Sequence, residues 1–157
     1  MAKAREVLGL HAALPFRAAA AATVRVRATE LFDAQDGVLD TEDVERVHAM
    51  RVATRRLRAV LEIYRACFEV GEYRPVLRDV KALADALGAR RDPDVQLEAL
   101  AALAATLPRT DLAGIDLLAD ELREEQLQGN ELLAVALAES ERSNLRGRLI
   151  ALADGSA

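Results

Sequence analysis

Aromatic residues make up only 3% of this 157-residue sequence, and there is no tryptophan. Single-stranded nucleic acids are held largely by bases stacking on aromatic rings, so a chain this poor in rings is badly equipped for them. A net charge of −5 argues equally against a general duplex binder, and nucleic acid is not expected as a partner. Cysteine is nearly missing too. Cys67 stands alone, which excludes an intrachain disulfide and fits a reducing compartment, so a cytoplasmic setting is expected, with Cys67 in the core. No run of eighteen apolar residues occurs, so neither a membrane span nor a membrane partner is expected. The alanine stretch 18–22 is short and flanked by Arg17 and Arg25. Residues 1–22 carry Lys3, Arg5 and many alanines, but His11, Pro15 and Arg17 interrupt the apolar centre that a signal peptide needs. No glycine- or proline-rich linker divides the chain, and no segment shows the alternation of a strand.

What remains is rich in helix formers. Hydrophobic residues reach 52%, dominated by alanine and leucine, which is the composition of a helical bundle. The length suits one all-α, four-helix-bundle-like domain over residues 1–157 with a single core. The first helix is expected over 3–36 with a kink near Pro15, facing inward through Phe16, Ala20, Val24, Leu31 and Phe32. Asp36-Gly37 marks a turn, and Asp40 or Thr41 is expected to cap a second helix running to about Phe68 and stopped near Gly71. A third helix is expected from Tyr73 to Leu87, closed by Gly88, and a fourth from Pro93 to Leu107 with Asp92 as its cap. Two more are expected, from Asp111 to Gln128 and, after a break at Gly129-Asn130, from Glu131 to Leu152, followed by a frayed tail over 154–157.

The stretch with the most chemistry is His48 to Arg65, HAMRVATRRLRAVLEIYR. It holds five arginines and one histidine against a single acid, Glu62. That is a formal +4 inside a chain of −5, leaving −9 on everything else. Wound as an α-helix at about 100° per residue, it places His48, Arg51, Arg55, Arg58 and Arg65 along one basic stripe about 100° wide. Met50, Ala53, Leu57, Val60, Leu61 and Tyr64 form a separate apolar arc, and Val52, Ala59 and Ile63 a thinner strip on the far side. A solvated face would mix signs by pairing Glu with Arg at i,i+4, and only Glu62 offers that here. A basic stripe with apolar residues on both sides suggests the floor of a groove built for an anion. Arg74, Arg78 and Lys81 form a second, shorter stripe, diluted by Asp85.

Ion pairing is the competing explanation for these cations. Arg51, Arg55 and Arg58 could pair with Asp85 or Asp94, and Arg91 either reaches the groove or locks onto a nearby acid. Arg56 points off the stripe, toward a salt bridge or solvent, and Arg17, Arg25, Arg78 and Arg123 are left open. Asp92 and Asp94 read as capping residues rather than metal ligands, and His11 as exposed. For catalysis, the acids are scattered at solubilising positions. No H-E-x-x-H, phosphate-cradling glycine loop or Ser-His pairing appears. Neither an enzyme nor a bound metal or cofactor is expected.

His48-x-x-Arg51-Val52-x-x-Arg55-Arg56-Leu57-Arg58 resembles the signature of the CHAD family, the conserved histidine α-helical domain. Leu87-Gly88-x-x-Arg91-Asp92-x-Asp94-Val95 resembles its second block, and Ala138 to Leu149 the end of one repeat, so the likeness covers roughly 16–152. The resemblance implies an all-helical binder of inorganic polyphosphate, whose members usually pair two four-helix halves about a basic channel. It implies His48, Arg51, Arg55, Arg58, Arg65, Lys81 and Arg91 as the polyphosphate contacts, and an association with polyphosphate granules. The family also occurs beside triphosphate-processing enzymes, which suggests as the alternative a non-binding helical adaptor or targeting subunit for a phosphate-processing enzyme, with a weak nucleic-acid binder as the remaining one. This sequence carries the His-and-arginine block once, so a homodimer that completes the channel is expected. Polyphosphate offers charge at every unit and nothing to stack on. Rows of guanidinium groups that grip phosphate oxygens bidentately suit it, and the rise from His48 to Arg65 would span about 26 Å.

Overall fold

The computed structural model of the chain describes residues 3–155. Among them are five α-helices and no strand: α1 Phe16–Asp33, α2 Val44–Ile63, α3 Val70–Ala104, α4 Leu112–Arg142 and α5 Leu145–Asp154. The all-helical expectation holds, but the helix boundaries differ from it in instructive ways.

α1 starts directly after Pro15, and residues 3–15 form turns rather than helix. Pro15 offers no amide and disfavours helical backbone at Leu14, while Gly9 sits at φ 81°. The segment is strapped down instead: Arg5 pairs with Asp33 at 2.7 Å, and Arg27 donates to the Arg5 carbonyl at 2.9 Å. Ala20, Ala21, Val24, Ala28 and Leu31 are the buried face of α1. Phe16 does not join them; at the helix start it stays 58% exposed, its ring 4.9 Å from that of Tyr64. The turn at Gly37 is present, at φ 66°. α2 nevertheless begins only at Val44, because Asp40 spends its carboxylate on the amide of Glu42 at 2.9 Å. It buries Val47, Met50, Thr54, Leu57 and Leu61, a three-four spacing that keeps one face on the core. It ends at Ile63, and a single 3₁₀ turn, Arg65–Cys67, carries buried Cys67. Gly71, expected as a stop, lies in the first turn of α3.

The largest departure is α3. Its 35 residues run without interruption through Gly88 and Pro93. α4 is equally continuous through Gly129 and Asn130, over 31 residues. Leu83, Leu87, Arg90, Asp94 and Leu97 of α3 and Leu122, Gln126, Gly129, Leu133 and Leu137 of α4 recur at heptad-like spacing, and α3 and α4 pack against each other as an antiparallel hairpin. That long seam outweighs the local breaking signals. The break falls instead at Asn144, which adopts the left-handed conformation (φ 50°) and accepts the Gly147 amide at 3.2 Å, capping α5. The tail expectation is only partly met: Asp154 is helical, and Ser156 and Ala157 lie outside the described residues.

α1, α2, α5, the first half of α3 and the end of α4 enclose the core. At about 1.5 Å per residue α3 is about 52 Å long against about 30 Å for α2, so the α3–α4 hairpin overhangs the bundle. In that overhang only Leu100 and Leu122 are buried.

Candidate functional site

α2 buries its leucines against α1 and α3, which turns its arginines outward along the α3 boundary. There Arg51, Arg55 and Arg58 line one wall of a groove of about 660 Å³, with Ala59 and Glu62. The facing wall is α3, with Ala84, Asp85, Gly88, Ala89 and Asp92. Small side chains on that wall leave the groove its width. A Cβ built on Gly88 would meet nothing within 4 Å, so the missing side chain at 88 is open space.

The three arginines are not equivalent. Arg58 is held by Glu62 one turn on, Nε to Oε1 at 3.1 Å, as the i,i+4 spacing dictates. Arg51 and Arg55 are exposed and form no ion pair among the described residues. Neither Asp85 nor Asp94, the acids that could have claimed them, does so; Asp85 lies on the opposite wall and Asp94 is engaged elsewhere.

The other residues expected at the site fall outside this wall. His48 is half-buried on α2, one turn before Arg51, and Arg65 is exposed in the turn beyond α2; neither lines the groove. Arg65 lies close enough to Tyr73 for its charge to oppose the burial that pushes the Tyr73 phenol up. Lys81 is half-buried on α3, one turn before Asp85. Arg56 turns toward α1, where its charge acts on buried Glu30. The open arginines are occupied: Arg17 on the Cys67 carbonyl, Arg25 on Asp154, Arg78 on Asp79 and Arg123 on Asp120. In the second stripe Arg78 is therefore committed to an acid.

Arg91 takes the ion-pair alternative, with its Nη1 buried 3.7 Å from Asp94 Oδ2. Asp94 is no helix cap, since α3 has no start there. It is 4% exposed and accepts from Arg90 at 2.5 Å and from Gln126 at 2.6 Å. Arg90 is fully buried and also donates to Asn130 at 3.2 Å, while Asn130 reaches the Leu39 carbonyl at 3.0 Å. The cluster leaves Arg90 Nη2, Arg91 Nη1 and Asp94 Oδ2 without hydrogen-bond partners. Arg90 escaped the sequence reading. Its signal was heptad spacing from Leu83 and Leu87, visible only if α3 is read straight through Gly88. Gly88 and Asp92 as part of a groove wall were hidden for the same reason, whereas Asp85 was legible as an acid within reach of the stripe.

Chemically, the site is a groove in which the arginine wall of α2 faces Asp85 and Asp92 of α3, and Arg51 and Arg55, one turn or about 6 Å of axial rise apart, have no acidic partner among the described residues. Among the described residues no three His, Cys, Asp or Glu side chains converge at metal-binding spacing, and no helix is long and apolar enough to cross a membrane. Residues 16–157 match the CHAD domain. No curated protein and no solved structure matches the chain.

Proposed function

The chain belongs to the CHAD domain family, and from that premise we propose that it binds inorganic polyphosphate in the α2–α3 groove. The observation that carries this reading is the pair Arg51 and Arg55: adjacent turns, exposed, free of acidic partners and walled into a groove. Exposed cations that no protein acid neutralises are what a multivalent anion needs, and each charge-assisted contact contributes about 1.5–3 kcal/mol in favourable geometry. Arg58 joins by exchanging Glu62 for phosphate. His48, Lys81 and Arg65 extend the track at its ends, and Arg91 supports α3 from inside. A polyphosphate chain held between two copies would bring two such tracks together into the channel. The role is binding, not catalysis, in a cytoplasmic setting with polyphosphate granules as the natural target.

The test is titration of long-chain polyphosphate into wild type and Arg51→Glu/Arg55→Glu. Binding is expected to vanish in the double variant with helicity and melting temperature unchanged, and wild-type affinity to fall steeply as salt rises. Unaltered affinity, or unfolding of the variant, defeats the reading. Equal affinity for mixed-sequence duplex DNA would favour a nucleic-acid binder instead.

A further inference from the structure

The groove wall does not end where the bundle ends. On α3, Asp85, Gly88 and Asp92 recur at three-four spacing, and Val95, Ala99 and Ala102 continue that spacing along the same face. The first three line the groove. The last three lie on the overhanging hairpin, where all are exposed, Val95 by 50%. Leu117 and Leu127 of α4 are also uncovered, at 65% and 57%. Uncovered apolar surface on a hairpin with almost no core of its own needs a partner.

Charge indicates which partner. Residues 95–128 contain seven acids, every one exposed, against Arg109 and Arg123. The hairpin thus carries −5, equal to the formal charge of the whole chain, and the remainder nets zero. Its complement is already on the molecule, in Arg51 and Arg55 on the α2 wall of the groove, which are exposed and have no acidic partner among the described residues, although Asp85 and Asp92 stand on the facing wall. The hairpin cannot reach its own groove, because both lie on one rigid helix and the hairpin points away along it. A second copy can.

The geometry points to a reciprocal contact between two copies, in which each acidic hairpin lies over the other's arginine groove and excludes polyphosphate from it. A two-fold axis near Val95 sets residue 102 of one α3 opposite residue 88 of the other, so Ala102 of each copy meets Gly88 of its partner. Such a contact is isologous and closes as a dimer. This dimer belongs to the ligand-free chain, distinct from any pairing around the polymer, and long-chain polyphosphate competes with its hairpin for Arg51 and Arg55. The competitor's identity rests on the polyphosphate reading; the docking itself does not.

The test uses the full chain without polyphosphate, by light scattering at micromolar concentration and low salt. A mass of two 17.0 kDa chains is expected for wild type. One chain is expected at high salt, in A99Q/A102Q, and in E98Q/E121Q/E124Q/E125Q. All these substitutions are at exposed positions, and unchanged helicity and melting verify the fold. Polyphosphate affinity of A99Q/A102Q, which alters no charge, should rise severalfold. A monomeric wild type, or a dimer that neither variant weakens, overturns the docking. A dissociated A99Q/A102Q whose affinity matches wild type overturns the competition. If polyphosphate binds none of these proteins, the function proposed above fails, and the masses alone still decide the docking.

Discussion

Gly129 of α4 sits directly against the Ala89 carbonyl of α3: a Cβ at position 129 would lie 2.7 Å from that oxygen and 2.9 Å from Arg90 Cα. Ala89 is also the residue four before Pro93, the position whose carbonyl an ordinary helix would satisfy with the amide of residue 93. Proline has no such amide. The proline in α3 and the glycine in α4 therefore meet at one oxygen. One removes the donor, and the other lets a neighbouring backbone close on the acceptor.

Gly129→Ala should accordingly destabilise the protein. Alanine gains about 1 kcal/mol of intrinsic helix preference over glycine, but its methyl group forces α3 and α4 apart, and overpacking costs about 1–3 kcal/mol. Gly114 on the same helix supplies the control, since a Cβ there meets nothing within 4 Å. Urea midpoints should move down for Gly129→Ala and up for Gly114→Ala. Two upward shifts would mean that the close approach has no energetic weight.

The polar cluster beside this contact should behave as a buried ion pair. Arg90→Met leaves buried Asp94 with only Gln126 and the longer Arg91 pair, at a cost of about 3 kcal/mol. Adding Asp94→Leu with Arg91→Met should recover most of it, because replacing every charged partner by apolar groups is often close to neutral, and Arg91 also pairs with Asp94. Denaturant unfolding of the single and triple variants measures the difference. A triple variant as unstable as the single would show that Arg90 acts through Asn130 and not through Asp94.

How much of this was legible in the sequence follows from the range of the forces involved. α2 could be read because its core face and its arginine stripe lie on one helix, set by its own periodicity. Val47, Leu57 and Leu61 are buried while Arg51, Arg55 and Arg58 line the groove. α3 and α4 were misread at Gly88, Pro93, Gly129 and Asn130, where local rules predict breaks. A seam between two helices distant in sequence overrides them, and no local rule contains it. Reading α3 as two helices then turned Asp92 and Asp94 into caps and hid Arg90. The real break at Asn144 did leave a local mark, an asparagine able to take left-handed backbone and cap the next helix.

Gly88→Leu separates the groove from the fold. Leucine at 88 points into open space, so helix stability should hold or rise by about 1 kcal/mol. The same side chain fills part of the groove that Arg51 and Arg55 line and should weaken long-chain polyphosphate by about tenfold, or about 1.4 kcal/mol. Isothermal titration beside thermal melting gives both numbers. Unchanged affinity would place the ligand elsewhere on the surface.

Asp79 makes a pH-dependent link between α3 and α5. Its carboxylate accepts from Arg148 at 2.5 Å and from Arg78 at 3.1 Å. Burial pushes this carboxyl up, but the hydrogen bonds and charges of Arg148 and Arg78 outweigh it and hold it below the ordinary aspartate value. A carboxyl depressed in the folded state binds its proton more weakly there than in the unfolded chain. Its stabilising contribution is therefore complete above the unfolded value of about 3.9 and is lost as pH falls through the folded one. Asp79→Asn should cost about 1–3 kcal/mol at pH 7, since the asparagine keeps one acceptor and loses the charge. On acidification below about pH 4 the gap between wild type and variant should narrow, because only wild type has this ionised group to lose. Chemical denaturation of both proteins from pH 7 down to about pH 2.5 follows the gap. A difference that stays constant across that range would show that the Asp79 contact stabilises through packing, with the charge on Asp79 contributing nothing.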